Sequence, residues 1–146
     1  MSRPNPFCID EFSYVVQLGT RWSDNDLYGH VNNVVYYSYF DTVANRFLIE
    51  QAGLDIHHGQ MIGLVVDSGC SYFAPVAFPE RLRGALRIAH LGRSSVRYEI
   101  AIFREDDPIA VAQGHFVHVF VDRDSRQALP ISDPIRAALS RLLIQG

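Results

Sequence analysis

The sequence lacks lysine. Its 13 basic residues are all arginines, they form no basic run, and the net charge is −3. Proteins that bind nucleic acid contact phosphates through clustered basic side chains, so we expect no nucleic-acid partner. Cysteine is almost absent as well, because only Cys8 and Cys70 occur. Two distant cysteines cannot build a disulfide framework or a metal-binding cluster, and we expect two free thiols.

Long apolar runs and several catalytic motifs are also missing. No stretch is apolar for the roughly 20 residues that a membrane span needs, and the first residues contain no apolar core of a secretory signal. We therefore expect a cytoplasmic protein without a membrane partner. A Gly-x-Ser-x-Gly elbow and a glycine-rich phosphate loop are absent. The six histidines show no metal-ligand spacing with a carboxylate, so we expect no metal site.

What the sequence does contain predicts one domain over residues 1–146, because 48% of its residues are apolar and 20% are charged. Alternating and helical apolar periodicities predict the following elements: an extended arm over 1–10, a strand over 12–21, a helix over 34–52, strands over 62–72, 80–91, 94–104 and 109–121, and a short helix over 133–143. Short connections between the last strands favour an antiparallel meander. The prediction is an α+β fold in which the sheet wraps the long helix.

The long helix carries apolar or aromatic residues around most of its circumference, which predicts that it is covered on most sides. Long strands beside a single helix also leave a sheet edge exposed. Pairing with a second subunit is a common way to cover such an edge. We therefore expect at least a dimer.

Residues 21–33, Arg-Trp-Ser-Asp-Asn-Asp-Leu-Tyr-Gly-His-Val-Asn-Asn, lead directly into this helix. Gly29 allows a tight turn that folds Asp26 back over the helix start, where unpaired backbone N–H groups stabilise negative charge. A carboxylate beside such donors suits acyl transfer, either as nucleophile or as general base. The alternative is a plain turn, with Asn32 and Asn33 as helix caps. A histidine such as His30 likewise either acts in catalysis or only bonds the backbone.

The segment Asp26-Leu-Tyr-Gly-His-Val-Asn-Asn33, entering an aromatic helix, resembles the hotdog-fold acyl-CoA thioesterases of the 4-hydroxybenzoyl-CoA thioesterase family. Two further stretches, 72–76 and 91–95, are similar to turns of that family, and the resemblance extends over about 14–130. It implies a hotdog fold, with a curved five-stranded antiparallel sheet wrapped around one long central helix. It also implies assembly as a homodimer or homotetramer and hydrolysis of acyl-CoA without metal or cofactor.

The same resemblance implies roles for individual residues. Asp26 matches the catalytic carboxylate and Asn33 the residue whose backbone N–H binds the thioester oxygen, with His30 as a further catalytic candidate. Asp24 is then the lesser carboxylate, supporting the loop. The implied substrate-binding residues are Tyr28, Val31 and Asn32 around the acyl pocket, and Arg93, Ser94 and Ser95 near the nucleotide part of coenzyme A.

Two alternatives stay open at this point. A hotdog dehydratase acting on a hydroxyacyl thioester needs a histidine paired with a carboxylate, and His30 with Asp26 is the one candidate pair. A binding protein without catalysis would keep only the acyl pocket. Several aromatic residues either line the bottom of that pocket or belong to the core. They are Tyr28, Tyr36, Tyr37, Tyr39 and Phe40.

Overall fold

A computed structural model describes residues 4–144, which form five strands and two α-helices. In chain order these are β1 (Tyr14–Gly19), α1 (Val35–Glu50), β2 (Met61–Tyr72), β3 (Arg81–Leu91), β4 (Ser95–Arg104), β5 (Ala112–Asp122) and α2 (Asp133–Ser140). Every predicted strand and helix is present, and its ends lie within three residues of the predicted ones. The first three residues of the predicted arm lie outside the described range.

The five strands form one antiparallel sheet in the order β1-β3-β4-β5-β2. The neighbouring strands β3, β4 and β5 are consecutive in the chain, as the short connections predict. Helix α1 packs against this sheet, so the predicted α+β hotdog fold with one long helix and a curved five-stranded antiparallel sheet is confirmed.

The main core lies between α1 and the inner face of the sheet, and the helix contributes Phe40, Val43 and Phe47 to it. Two strand glycines permit this close packing, since a Cβ atom at Gly84 would collide with Val43 and one at Gly114 with Phe40. The opposite side of α1 is exposed. Within a single chain the sheet therefore covers only one face of the helix. The sequence predicted that the helix would be covered on most sides.

The N-terminal arm covers the outer face of the sheet. Instead of remaining extended, it forms a short 3₁₀ turn at Ile9–Glu11, and Phe7 and Phe12 pack on a second small core that includes Phe103. The guanidinium of Arg87 lies over the rings of Phe7 and Phe12, 4.4 and 5.0 Å from their centroids. The arm is thus a packed part of the domain.

The C-terminal helix is shorter than predicted. Helix α2 ends at Ser140, and the following residues bond to β3: Ile88 N–H donates to Leu142 O, and Ile144 N–H donates to Ile88 O, each at 2.8 Å. The pairing of β3 with β4 shifts register just after Ile88. On its other side β3 pairs with β1 only as far as Leu86, opposite Tyr14, so the edge at Ile88 is open to the C-terminal segment.

Strands β1 and β2 form the two edges of the sheet. Along β2 the side chains of Leu64, Val65 and Val66 are exposed. The predicted exposed edge is therefore present, and it carries apolar groups. No helix among residues 4–144 is long and apolar enough to cross a membrane.

Two histidines of β5 point to opposite faces of the sheet, as their odd spacing predicts. The ring of His118 is buried, its Nδ1 atom lies 3.0 Å from the Tyr98 hydroxyl, and burial lowers the pKa of His118 to about 4. His115 lies on the outer face, 3.0 Å from the Asp67 carboxylate. Within residues 4–144, no cluster of three His, Cys, Asp or Glu side chains has the geometry to hold a metal ion.

Candidate active site

The loop between β1 and α1 begins with a clamp around Asp24. This side chain has no exposed surface, and its carboxylate accepts hydrogen bonds from the Arg21 backbone N–H (2.8 Å), the Arg21 Nε–H (3.0 Å) and the Tyr39 hydroxyl (2.8 Å). Burial alone would raise the pKa of Asp24, but these bonds outweigh it and lower the pKa. Asp24 is therefore a structural anion that ties the loop to α1.

Asp26 lies in the tight turn that follows. Gly29 adopts a φ of +81°, its N–H donates to Asp26 O at 3.1 Å, and Asp26 N–H donates to His30 O at 2.8 Å. The predicted turn at Gly29 is confirmed, since only glycine adopts such a φ without strain. The Asp26 Oδ1 atom accepts a hydrogen bond from Tyr28 N–H at 2.9 Å. One carboxylate oxygen therefore holds the turn, and Oδ2 has no partner within residues 4–144.

The residues just before α1 leave one backbone donor, the N–H of Asn33, without an acceptor among the described residues. Asn32 N–H donates to Asp24 O, while the Asn32 side chain and backbone oxygens accept from Val34 N–H and Val35 N–H. Asn33 N–H has no acceptor in the described part of the chain. The Asn33 carbonyl, in contrast, accepts a hydrogen bond of 3.0 Å from the Tyr72 hydroxyl. This bond anchors Asn33 to the end of β2.

Asp26 and Asn33 line the same cavity of about 390 Å³. The other residues of its wall are Val31, Tyr36, Tyr72, Phe73, Ala74 and Pro75. The loop is attached to this wall by Val31 N–H, which donates to Val76 O at 2.8 Å. The turn at 72–76 noted in the sequence thus forms one side of the cavity, and the motif loop forms the other.

Aromatic rings form the inner part of the cavity wall. The rings of Tyr36 and Tyr72 meet edge to face, with centroids 5.2 Å apart. Burial, followed by the influence of Cys70 and Glu80, raises the pKa of Tyr36 to about 12. Burial and Cys70 also raise the pKa of Tyr72. Both side chains are therefore neutral hydroxyls at physiological pH.

The structure brings together only part of the predicted site. Val31 is buried in the cavity wall and Asn32 shapes the helix start, but the side chains of Tyr28 and His30 are exposed and lie outside the wall. Tyr72 was missed as a site residue. Its place in the stretch 72–76 was the available signal, because that stretch already resembled a family turn.

The predicted nucleotide-binding residues are distant within one chain. Arg93 and Ser94 form the β3–β4 turn and Ser95 opens β4. The motif loop lies at the other end of β3, because Thr20, just before the loop, donates a hydrogen bond from Oγ1 to the carbonyl of Glu80, just before β3. A strand of this length spans roughly 35 Å. The guanidinium of Arg136, in α2, donates hydrogen bonds to two backbone carbonyls of this turn, those of Gly92 and Arg93.

The fold defines the class of protein: it is that of the hotdog thioesterases. The chain belongs to the thioesterase-like superfamily, whose sequence model matches residues 20–139. Its enzyme class is thus thioesterase, as the sequence predicts.

Solved structures agree with this assignment. The PA5185 protein of Pseudomonas aeruginosa is 51% identical, with 97% of this chain and 99% of that chain covered and a TM-score of 0.95. The PA2801 protein of the same organism, a candidate thioesterase, is 30% identical over 88% of this chain and 98% of that chain, with a TM-score of 0.82. Slr0204, a 1,4-dihydroxy-2-naphthoyl-CoA thioesterase from Synechocystis, is 18% identical over 88% and 96% of the two chains, with a TM-score of 0.79. This last likeness concerns the fold.

Proposed function

We propose that this chain hydrolyses acyl-CoA thioesters to a free carboxylic acid and coenzyme A, with Asp26 and Asn33 as its catalytic groups. One observation carries the proposal: the Asp26 carboxylate, with one oxygen free among the described residues, and the Asn33 N–H just before α1, which is unpaired there as well, line the same cavity. The first group acts on the carbonyl carbon or on water, and the second binds the carbonyl oxygen. Thioester hydrolysis needs both.

In the proposed reaction, Asn33 N–H donates a hydrogen bond to the thioester oxygen and stabilises the negative charge that develops there. A donor of this kind contributes about 3 to 4 kcal/mol to the transition state. Asp26 Oδ2 either attacks the carbonyl carbon, giving an anhydride that water opens, or removes a proton from the attacking water. On both routes the C–S bond breaks and coenzyme A leaves as a thiolate that takes up a proton.

Other residues support these two in the proposal. Tyr72 fixes the Asn33 peptide through its hydrogen bond to the Asn33 carbonyl, and Val31 contributes apolar wall for the acyl group. Tyr28 N–H holds the Asp26 carboxylate in its turn, and Asn32 orders the first turn of α1. His30 contributes its backbone groups to the turn, not its imidazole.

A homodimer paired through β2 accounts for the distant turn at 93–95. The Tyr72 end of β2 lies at the cavity, and its Met61 end pairs with β5 close to Ser94, whose carbonyl accepts from Phe120 N–H. Antiparallel pairing of β2 with its copy would place the partner's Met61 end beside this chain's cavity. In that arrangement the second subunit supplies the turn that contacts the nucleotide of coenzyme A.

No specific observation favours the dehydratase. That chemistry requires a histidine imidazole in the cavity together with the carboxylate, and the exposed His30 side chain is not part of the wall. A binding protein without catalysis has no need for the free Asp26 oxygen beside an unpaired donor. Hydrolysis is therefore the function that the geometry supports best.

The test is release of free thiol from a panel of short, long, branched and aromatic acyl-CoAs, compared between the wild type and Asp26→Asn. We expect the wild type to hydrolyse at least one member and the variant to lose about 1000-fold or more in kcat, because the amide neither attacks the carbonyl nor accepts the proton.

Asp106→Asn is the matched control, since Asp106 is an exposed carboxylate of the β4–β5 turn. It should retain wild-type turnover. If Asp26→Asn hydrolyses the best thioester at the wild-type rate, the proposed roles are wrong. Formation of an enoyl product from a 3-hydroxyacyl-CoA without thiol release would identify a dehydratase instead.

A further inference from the structure

Tyr36 is a buried side chain whose hydroxyl has no hydrogen-bond partner in the described part of the chain. The side chain is only 3% exposed, and within residues 4–144 no hydrogen bond reaches its hydroxyl. The other buried tyrosines of the helix and sheet behave differently. Tyr39 donates to Asp24, and the hydroxyl of Tyr98 lies 3.0 Å from His118 Nδ1. Among these three buried tyrosines, Tyr36 is the one whose hydroxyl has no hydrogen-bond partner within residues 4–144.

This hydroxyl is nevertheless not sealed inside the protein. Among described residues, Tyr14 carries the one side-chain polar atom that is both inaccessible and unpaired. The unpaired Tyr36 oxygen must therefore be reached by solvent. Tyr36 lines the cavity that also contains Asp26 and Asn33, and we infer that solvent reaches the hydroxyl through this cavity. The hydroxyl would then be open to a substrate bound there.

The position of Tyr36 relative to the reacting groups is set by the helix. Tyr36 lies in the first turn of α1, three residues after Asn33, and both residues line the same cavity. Most of the other wall residues are apolar or aromatic, namely Val31, Tyr72, Phe73, Ala74 and Pro75. Burial keeps the phenol protonated at physiological pH. The group is thus a neutral donor and acceptor in a wall that is otherwise mostly apolar.

We propose that the Tyr36 hydroxyl is a specificity-determining group that forms a hydrogen bond with an oxygen substituent on the acyl part of the substrate. The inference rests on the proposed thioesterase function of the cavity. A purely hydrocarbon acyl group would displace water from this hydroxyl and leave it unpaired, whereas an acyl group with a suitably placed oxygen would replace the water. Sites built around such a polar group discriminate against the analogue that lacks the matching oxygen.

The experiment compares matched acyl-CoA pairs that differ by one oxygen: hexanoyl-CoA with its hydroxylated derivatives, and benzoyl-CoA with the three hydroxybenzoyl isomers. In the wild type we expect at least one hydroxylated member to exceed its parent in kcat/KM by about 10-fold. In Tyr36→Phe this ratio should fall to about one, because the parent is hydrolysed as well as before.

Two results would overturn the inference. One is that no hydroxylated member is preferred by the wild type. The other is that Tyr36→Phe slows the parent and the hydroxylated member equally, which would mean that the hydroxyl acts on the thioester oxygen or on the fold. Because it has no partner to lose, Tyr36→Phe should melt at the wild-type temperature or above it.

Tyr39→Phe is the matched control, since Tyr39 lies on the same helix but its hydroxyl is engaged by Asp24. It should keep the wild-type preference for the hydroxylated acyl group. If the wild type releases thiol from no member, the proposed function itself has failed. Calorimetric binding of the same pairs to Asp26→Asn and to Asp26→Asn/Tyr36→Phe then still tests Tyr36, and equal affinity ratios in the two proteins would refute its role.

Discussion

Asp24 and Asp26 lie two residues apart in one loop, and their surroundings are opposite. Asp24 is completely buried, and its two oxygens accept three hydrogen bonds from Arg21 and Tyr39. Asp26 is half-buried at the edge of a cavity, where Oδ1 accepts from Tyr28 N–H and Oδ2 has no partner within residues 4–144. One carboxylate is saturated with donors, and the other retains a free oxygen.

The number of hydrogen bonds that a carboxylate accepts therefore distinguishes a structural from a reactive group better than its residue type does, since both residues are aspartates. A carboxylate whose oxygens are all occupied has no lone pair directed at a substrate, and moving it would break several bonds at once. A carboxylate with one anchored and one free oxygen is held in place and can still react. The same contrast distinguishes Tyr39, whose hydroxyl donates to Asp24, from Tyr36, whose hydroxyl has no hydrogen-bond partner among the described residues.

The largest effect on stability is expected at the saturated carboxylate. Asp24→Asn should lower the free energy of unfolding by about 3 kcal/mol, because an amide has one acceptor oxygen instead of two and places its own N–H donors against the donors of Arg21 and Tyr39. Urea unfolding measures the change. Asp106→Asn, at an exposed carboxylate, should leave the midpoint unchanged.

The stability difference between the wild type and Asp24→Asn should also depend on pH, in a direction that follows from the pKa of Asp24. The folded pKa of Asp24 is lowered from its ordinary value of 3.8, so its stabilising contribution is present above pH 3.8 and is lost as the pH falls through the folded pKa. The stability difference between wild type and Asp24→Asn should therefore be constant near neutral pH and shrink below pH 3.8. A difference that is small at neutral pH and grows in acid would contradict the clamp.

The fold was largely predictable from the sequence, for a physical reason. Burial on one face imposes a period of two on strands and a longer period on helices, so the five strands and α1 were visible as patterns. The ends were less predictable. The helix over 133–143 stops at Ser140 because the next residues bond the free backbone groups of Ile88, and such a partner is distant in sequence.

The site was predictable only in part. Asp26, Gly29 and Asn33 are close in sequence and share one turn, so local chemistry suggested their proximity. Tyr72 comes from a strand 39 residues after Asn33 and meets it only through the fold. The Tyr36 hydroxyl matters because it lacks a hydrogen bond within residues 4–144, and no sequence pattern predicts that a hydrogen bond is absent.

An intermediate effect on stability is expected from the partner of Asp24. Tyr39→Phe should lower the free energy of unfolding by about 2 kcal/mol, because it removes one charge-assisted hydrogen bond from a buried carboxylate but leaves those from Arg21. Tyr37→Phe is the matched control on the same helix, since the Tyr37 hydroxyl has no partner within residues 4–144. Equal unfolding midpoints for the two variants would show that the Tyr39 bond contributes nothing.

The smallest effect on stability is expected at Asp26, where the effect on turnover should be largest. Asparagine keeps an Oδ1 atom that accepts the hydrogen bond from Tyr28 N–H, so Asp26→Asn should change the free energy of unfolding by less than about 0.5 kcal/mol. The same urea titration that detects Asp24→Asn measures it. A loss as large as that of Asp24→Asn would mean that both carboxylates hold the loop, and the separation between a structural and a reactive aspartate would fail. A stable and inactive Asp26→Asn beside a destabilised Asp24→Asn would assign the chemistry to the free oxygen.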